Sequence, residues 1–292
     1  MSWGAETPLY ADTFEKQRLG RASSFRAITQ QGLFLFMSLF AMQLANTSEL
    51  YPYLIGIALV LVSFGIALFI IRESPAPSVP SQAEEHYNPI KHIGLLFTSR
   101  EYVKVASLGA ISLMYPASFN LFLPLLATET LGLEKGQYGF AIAVGAGVAM
   151  ITAIPAGHLV DRLGPKYLLL IVYAAMTFGG VAMIFLVQDL QTLIVFASIQ
   201  NFTQGLGGVA IMPLIFQHAP DHERGKVFGL IQFVRAAAAF LITPLIGWLS
   251  DAFHSYRVGY TVCTALAVAG ILIALTVRKP THTPSAPGGG LD

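Results

Sequence analysis

The stretch Gly157-His158-Leu159-Val160-Asp161-Arg162-Leu163-Gly164-Pro165-Lys166 is a short charged turn between two long apolar segments. The segment before it covers Gly139–Val160, and the segment after it covers Tyr167–Val187. Each is long enough to cross a bilayer as a helix. Two crossing segments joined by so few residues must run antiparallel. The charged turn is therefore predicted to be a corner at one membrane face.

The composition supports a membrane protein. The chain is 54% hydrophobic and only 11% charged, whereas a soluble domain carries roughly a quarter charged residues. Its mean hydropathy is +0.63. The charges form short islands, and the apolar runs between them are about 20 residues long, as a membrane-crossing helix requires. Such long and uniform runs exclude barrel strands.

The fold class predicted from these runs is an all-α membrane protein, a polytopic bundle of eight transmembrane helices. Lipid cannot satisfy exposed backbone polar groups, so each run must be helical. The predicted spans are Ala27–Leu44, Tyr51–Ile71, Val103–Leu126, Gly139–Val160, Tyr167–Val187, Thr192–Phe216, Val227–Leu249 and Tyr260–Val277.

The distribution of basic residues predicts the orientation of these spans. The N-terminal segment, the linker, the charged corner, the loop before the seventh span and the tail all fall on one face. Arg26 and Arg235, near the ends of their spans, are counted with it. That face then holds every Lys and Arg except Lys135 and Arg257. By the positive-inside rule it is cytoplasmic, which predicts a multi-pass protein of the plasma or inner membrane with a cytoplasmic C-terminus.

An internal repeat is visible at a constant offset. Pro8-Leu9 matches Pro213-Leu214, and Gly20-Arg21 matches Gly225-Lys226, both 205 residues apart. The repeat predicts two six-helix halves, of which this chain holds the last two helices of the first and all six of the second. Four helices of the first half would then precede residue 1. The predicted division is 1–71 for the end of the first half, 72–102 for a cytoplasmic linker, 103–279 for the second half and 280–292 for a disordered tail.

The charged corner follows the pattern Gly-x-Leu-x-Asp-Arg-x-Gly-x-Lys, carried by Gly157, Asp161, Arg162, Gly164 and Lys166. This pattern resembles the loop signature of the major facilitator superfamily of secondary transporters. The resemblance implies a gating latch in which Asp161 faces the N-terminus of the penultimate helix, whose partial positive charge favours a carboxylate. Gly157 and Gly164 would permit close approach and a tight turn. Arg162 and Lys166 would contact acidic or backbone groups nearby. The alternative is that Asp161 and Arg162 only hold the loop at the interface.

In the resembled family, the first and fourth helices of each half line a central cavity. Polar side chains at mid-membrane depth on these helices are candidates for the solute path, because such groups usually face the bundle interior. Three of them, Ser112, Tyr115 and Ser118, fall at spacings of three and are predicted to share a face. The alternative is that these groups bond neighbouring helices. The candidates are Ser112, Tyr115, Ser118 and Asn120 on the third span and Gln200, Asn201 and Gln204 on the sixth.

Further candidates lie at the cytoplasmic ends of two spans. Gln30 and Gln31 open the first span, and Gln232 and Arg235 occupy the matching depth of the seventh. An arginine inside a span is costly without a partner, so Arg235 could bind an anion. The alternative, which we favour from the sequence, is that Arg235 snorkels towards the headgroups or makes a gate contact.

The resemblance implies alternating-access transport of a small solute across a lipid bilayer. The neutral amides and hydroxyls favour a sugar or another neutral polar metabolite, and efflux of a drug or amphiphile is the nearest alternative. A truncated, non-transporting membrane fragment is a hypothesis of a different class. No acidic residue stands in the middle of a span, so the sequence leaves open whether H⁺ or Na⁺ is a coupling ion.

Other functional classes find little support. The sequence has no HExxH zinc pair, GxSxG elbow or GxxxxGK[ST] phosphate loop, so we predict that the chain is not an enzyme. No cofactor or metal is expected. A net charge of +1 without a basic stripe argues against nucleic acid as a partner.

Overall fold

The computed structural model describes residues 28–38, 40, 50–69, 99–218 and 224–278, without the side chains of residues 52, 67–69, 216 and 224–226. We number its helices in chain order. They are α1 (28–38), α2 (Leu50–Phe69), α3 (Arg100–Leu125), α4 (Lys135–Leu163), α5 (Pro165–Phe185), α6 (Leu190–His218), α7 (Arg224–Ala252) and α8 (Arg257–Thr276). A π-helical turn, Leu126–Thr130, continues α3. The predicted linker and tail lie outside the described residues, apart from the start of α3.

The all-α membrane fold is confirmed. In the described part of the chain, six helices (α3 to α8) are long and apolar enough to cross a bilayer, and α2 adds the shorter apolar stretch Tyr53–Ile66. Several helices extend past the predicted spans. Helix α4 begins at Lys135 rather than Gly139, because Glu134 and Gln137 form a capping box that adds a polar first turn. Counting apolar residues does not detect such a turn.

The charged corner is as tight as predicted. Helix α4 ends at Leu163 and α5 begins at Pro165, so Gly164 alone joins them. Gly164 has φ = 83°, a value that glycine adopts without steric cost. Pro165 stands in the first turn of α5, where its missing N–H needs no acceptor.

Small residues bring α4 and α6 together. A Cβ placed on Gly205 of α6 would lie 2.5 Å from the carbonyl oxygen of Ala149 in α4. A Cβ on Gly145 would collide with the side-chain amide of Asn201. These glycines therefore allow the two backbones to approach directly, as small residues commonly do between membrane helices. Helix α6 also packs on α5, α5 on α8, α8 on α3, and α3 on α7.

Basic side chains from three helices gather at the end of α8. Lys104 donates from Nζ to the carbonyl of Thr276 (2.8 Å), and Lys166 donates to that of Val277 (2.5 Å). Nε2 of His218 lies 3.3 Å from the carbonyl oxygen of Arg278. The last carbonyls of a helix lack intrahelical partners and attract cations. We call these three side chains the α8 clamp.

The α8 clamp confirms that the ends of α3, α5, α6 and α8 share one face, as the alternation of spans requires. Arg257 lies at the opposite end of α8 and donates to the carbonyls of Ile184 and Val187 (2.9 Å for the latter) at the end of α5. The hydroxyl of Tyr256 donates to Glu129, and this hydrogen bond raises the pKa of Tyr256. Which face is cytoplasmic stays a prediction.

Helices α1 and α2 lie outside the closest packing. Helix α1 approaches α4, since a Cβ on Gly32 would lie 3.3 Å from the sulfur of Met150, and one on Gly147 would lie 3.3 Å from Leu35. Helix α2 carries mostly exposed apolar side chains, such as Tyr53 at 72% exposure. Helices α2 and α8 are both 20 residues long, consistent with the repeat. The division into two halves stays a prediction.

We expect Gly205→Ala to destabilise the bundle by roughly 1–3 kcal/mol, because the new methyl group would have to push α4 away. Gly208→Ala is the matched control, since a Cβ at Gly208 meets nothing within 4 Å. It should be neutral or stabilise by up to about 1 kcal/mol through helix propensity. Thermal unfolding of both variants in lipid nanodiscs measures the difference. Equal melting temperatures would contradict the direct contact of the two backbones.

Candidate functional site

A cavity lies between five helices. Its volume of about 370 Å³ is within the usual range for ligand pockets. Helices α1, α3, α5, α6 and α7 all contribute to its wall. Its polar lining residues are Gln30, Gln31, Ser112, Asn120, Tyr173, Thr203, Gln204 and Arg235. Its other lining residues are Leu113, Pro116, Ala117, Leu169, Val172, Met176, Gly207, Gly208, Ile211 and Met212.

The cavity faces of the helices follow the α-helical period. On α3, the lining residues are spaced by one, three, one and three: Ser112, Leu113, Pro116, Ala117 and Asn120. The prediction that Ser112, Tyr115 and Ser118 share one face is wrong. Each step of three residues turns the helix by about −60°, so Ser118 points roughly 120° away from Ser112. Tyr115 and Ser118 are buried in the bundle and do not line the cavity.

Three predicted solute-path residues instead contact neighbouring helices or their own. The hydroxyl of Tyr115 (3.1 Å) and the amide of Gln200 (3.4 Å) both donate to the carbonyl of Met176, which ties α3 and α6 to α5. Asn201 donates to Ala197 within α6 (2.9 Å). Gln200, Asn201 and Tyr115 do not line the cavity. Hydrogen bonding within the helix bundle therefore describes their geometry better than contact with a solute does.

Glycines make room for the cavity on α6. Gly207 and Gly208 both line it, next to Gln204. A Cβ on Gly207 would lie 3.2 Å from Val172, whereas one on Gly208 would project into open space. The same helix therefore uses Gly205 for backbone contact and Gly208 to leave a void.

Arg235 is the one ionised side chain among the described residues that line the cavity. It is only 6% exposed, and its Nη1 donates to Oε1 of Gln232 at 2.6 Å. Its Nε is buried without a hydrogen-bond partner among the described residues. Snorkelling or a gate contact, the interpretation that the sequence favours, stays a prediction. Gly109 of α3 leaves room for the arginine stem, since a Cβ there would lie 3.2 Å from Cδ of Arg235.

The sequence prediction missed two polar lining residues. Tyr173 and Thr203 both face the cavity, and the Tyr173 hydroxyl donates to the carbonyl of Leu108 at 2.9 Å. A signal for Tyr173 existed, because it interrupts the apolar run Leu168–Val172 near the middle of α5. Thr203 precedes Gln204, which the sequence indicates as a candidate, and both line the cavity.

The latch candidates lie at the end of α4 and the start of α5. Gly157 is buried, while Asp161 and Arg162 are exposed. Lys166 contacts backbone carbonyls, as expected, namely those at the end of α8. The predicted contact of Asp161 with the start of α7 involves residues 219–226, where the described structure is incomplete, and stays a prediction.

The described residues contain no group of three or more His, Cys, Asp or Glu side chains that could hold a metal. The cavity wall, as far as it is described, carries no carboxylate either. The chain's one cysteine, Cys263, is buried in α8 away from this wall. Arg235 is therefore the dominant charge of the cavity.

The chain is similar to known membrane carriers. The family described as Major Facilitator Superfamily matches residues 1–187 and also residues 105–291. Monocarboxylate transporter 13 of Rattus norvegicus is 27% identical over 174 residues, 58% of this chain and 40% of the relative. The probable galactarate/D-glucarate transporter GudP of Bacillus subtilis (strain 168) is 25% identical, covering 53% of this chain and 34% of the relative. Multidrug resistance protein MdtL of Shewanella oneidensis is 26% identical, covering 62% of this chain and 46% of the relative. The chain thus spans less than half the length of each of these relatives.

We expect Gly208→Leu to fill the cavity, because the new side chain projects into its open space. The probe is Ser112→Cys in a Cys263→Ala background, labelled with a small methanethiosulfonate reagent. Filling the cavity should slow labelling severalfold. Gly136→Leu is the matched control, since Gly136 also has open space but lies on the first turn of α4, outside the cavity. If both variants label at the parent rate, Ser112 is not reached through this cavity.

Proposed function

Because the chain belongs to the major facilitator superfamily, we propose that it forms the solute path of a secondary transporter. The cavity between α1, α3, α5, α6 and α7 holds a small solute, and rearrangement of the helices exposes it to either side of the membrane in turn. The multi-pass helix bundle supplies the membrane-spanning frame that this mechanism needs.

The cavity itself is the observation that carries the proposal. Amides, hydroxyls and one guanidinium from separate helices converge on it, within a bundle whose buried residues are mostly apolar. Polar groups inside a membrane protein are costly and usually face a water-filled path or one another. Their convergence on a void of about 370 Å³ is what a binding site for a small polar molecule requires.

The names of the relatives support a small organic solute without agreeing on one. One is a monocarboxylate transporter, one a probable galactarate/D-glucarate transporter and one a multidrug resistance protein. The neutral metabolite favoured by the sequence suits the amides of Gln30, Gln31 and Gln204. An amphiphile suits the apolar wall formed by Leu169, Val172 and Met176. A proton or sodium ion stays open as a coupling ion.

The proposed location is the plasma or inner membrane, with the α8 clamp on the cytoplasmic side. The segments at that face contain an excess of Lys and Arg, and the positive-inside rule assigns such a face to the cytoplasm. Lys104 and Lys166 of the clamp are part of this excess. The latch role of the Asp161 corner belongs to the same proposal.

Solute flux through the full chain tests the proposal. The chain, reconstituted in liposomes, should take up at least one radiolabelled solute from a panel of sugars, carboxylates and amphiphilic amines faster than empty liposomes do. Gly208→Leu, which fills the cavity, should abolish the difference, and Gly136→Leu should preserve it. Absence of flux for every solute would instead favour the alternative of a non-transporting fragment. Flux that persists in Gly208→Leu would place the path elsewhere.

We expect Asp161→Asn to open the cytoplasmic side more often, because the asparagine amide lacks the negative charge that the start of α7 attracts. The stabilisation of a carboxylate by a helix N-terminus predicts roughly a twofold to fivefold change in the equilibrium between the open and closed cytoplasmic side. The measurement is labelling of Ser112→Cys by an impermeant thiol reagent added to one side at a time. Asp251→Asn, an exposed site at the opposite end of α7, is the control. Unchanged labelling from both sides would refute the latch.

A further inference from the structure

The electrostatics of the cavity are one-sided. Arg235 is buried and ionised, and the described wall contains no carboxylate to neutralise it. Salt bridges among the described residues do not include Arg235. A buried charge without a counter-charge is strongly unfavourable, so a site that retains one is suited to a ligand of opposite sign.

The hydrogen-bonding capacity of Arg235 is also largely unused. A guanidinium has five N–H donors in a planar fork that matches a carboxylate. The described residues accept from Nη1 only, through the side-chain oxygen of Gln232. Nε is buried and without a partner. An anion that bridges the free edge of the guanidinium would satisfy these donors and the charge together.

The neighbours of Arg235 hold it in place without neutralising it. Gln232 lies one helical turn away and accepts a 2.6 Å hydrogen bond. Gly109 borders the aliphatic stem, since a Cβ on Gly109 would lie 3.2 Å from Cδ of Arg235. Gln232 is therefore a positioning residue, because its neutral amide orients the guanidinium and leaves its charge available.

The rest of the wall limits the ligand to a single charge. The other polar lining groups, such as Gln30, Gln31 and Gln204, are neutral, and Leu169, Met176 and Ile211 are apolar. A second carboxylate on the ligand would have no cation among the described lining residues. A short carbon chain, with or without a hydroxyl group, fits such a wall.

Building on the proposed function, we propose that the transported solute is a small organic monoanion whose carboxylate binds the guanidinium of Arg235. This assignment differs from the neutral metabolite favoured by the sequence alone, and its reason is the buried, unneutralised position of Arg235. The body of the solute lies against the apolar side chains of α5 and α6.

A matched set of six-carbon probes tests the assignment: hexanoate, its neutral isostere hexanamide, and the dianion adipate. Each is tested at pH 7 for protection of Ser112→Cys against labelling, in the Cys263→Ala chain in nanodiscs. Hexanoate should protect at concentrations about tenfold lower than hexanamide, as one charge-assisted hydrogen-bonded pair predicts. Adipate should protect less well than hexanoate.

Three variants locate the preference. Arg235→Gln should remove the difference between hexanoate and hexanamide, and Arg100→Gln, an exposed arginine outside the cavity, should keep it. Gln232→Glu should also remove it, because a carboxylate of the protein would then neutralise Arg235 in place of the probe. This variant keeps Arg235 and tests the proposal even if Arg235→Gln does not fold.

The outcomes separate this inference from the proposed function. If hexanamide protects as well as hexanoate, or if Gln232→Glu keeps the preference for hexanoate, the monoanion assignment is wrong while the cavity still binds solutes. If adipate protects best, the single-charge argument is wrong. If no probe protects and Gly208→Leu labels at the parent rate, the cavity is not a solute site, and the proposed function fails with it.

Discussion

The hydrocarbon core of a bilayer offers no hydrogen-bond partners, and the arrangement of this chain depends on that constraint. The backbone satisfies itself within the helices. Hydroxyl groups donate to carbonyls one turn back, as Ser107 does to Val103 and Thr177 does to Tyr173. Longer polar side chains reach between helices, where Tyr115 donates to Met176. Other polar side chains line the cavity, where Arg235 keeps a buried Nε without a partner among the described residues.

The same small residue serves opposite purposes along one helix. Gly205 brings α6 against α4, while Gly208, nearly one turn further, leaves a void beside it. Because 3.6 residues complete a turn, positions three apart point in directions about 60° different, and one turn of α6 can hold both a contact and a gap. The structure shows a division of roles that a count of glycines in the sequence cannot.

The sequence predicted the features that follow from hydropathy and charge: the helical class, the alternation of faces and the tight corner at Gly164. Two further points show what the sequence alone does not specify. The side chains Ser112 and Ser118 were placed on one face, although steps of three accumulate an angular drift. The depth of Arg235 in its span favours snorkelling or a gate contact, but the surroundings of its stem depend on space left by Gly109 on another helix. Such a pairing of distant residues is a tertiary property, and one sequence does not reveal it.

The α8 clamp has a mechanical consequence. Lys104, Lys166 and His218 belong to three different helices, yet all of them meet the last carbonyls of a fourth. Any motion that separates these four helix ends must break several contacts to one short piece of backbone together. At this face α4 ends and α7 begins, and neither helix supplies one of the three clamp side chains. Lys166 belongs to the charged corner as well as to the clamp, so the turn between α4 and α5 is tied to the end of α8 and should move with it.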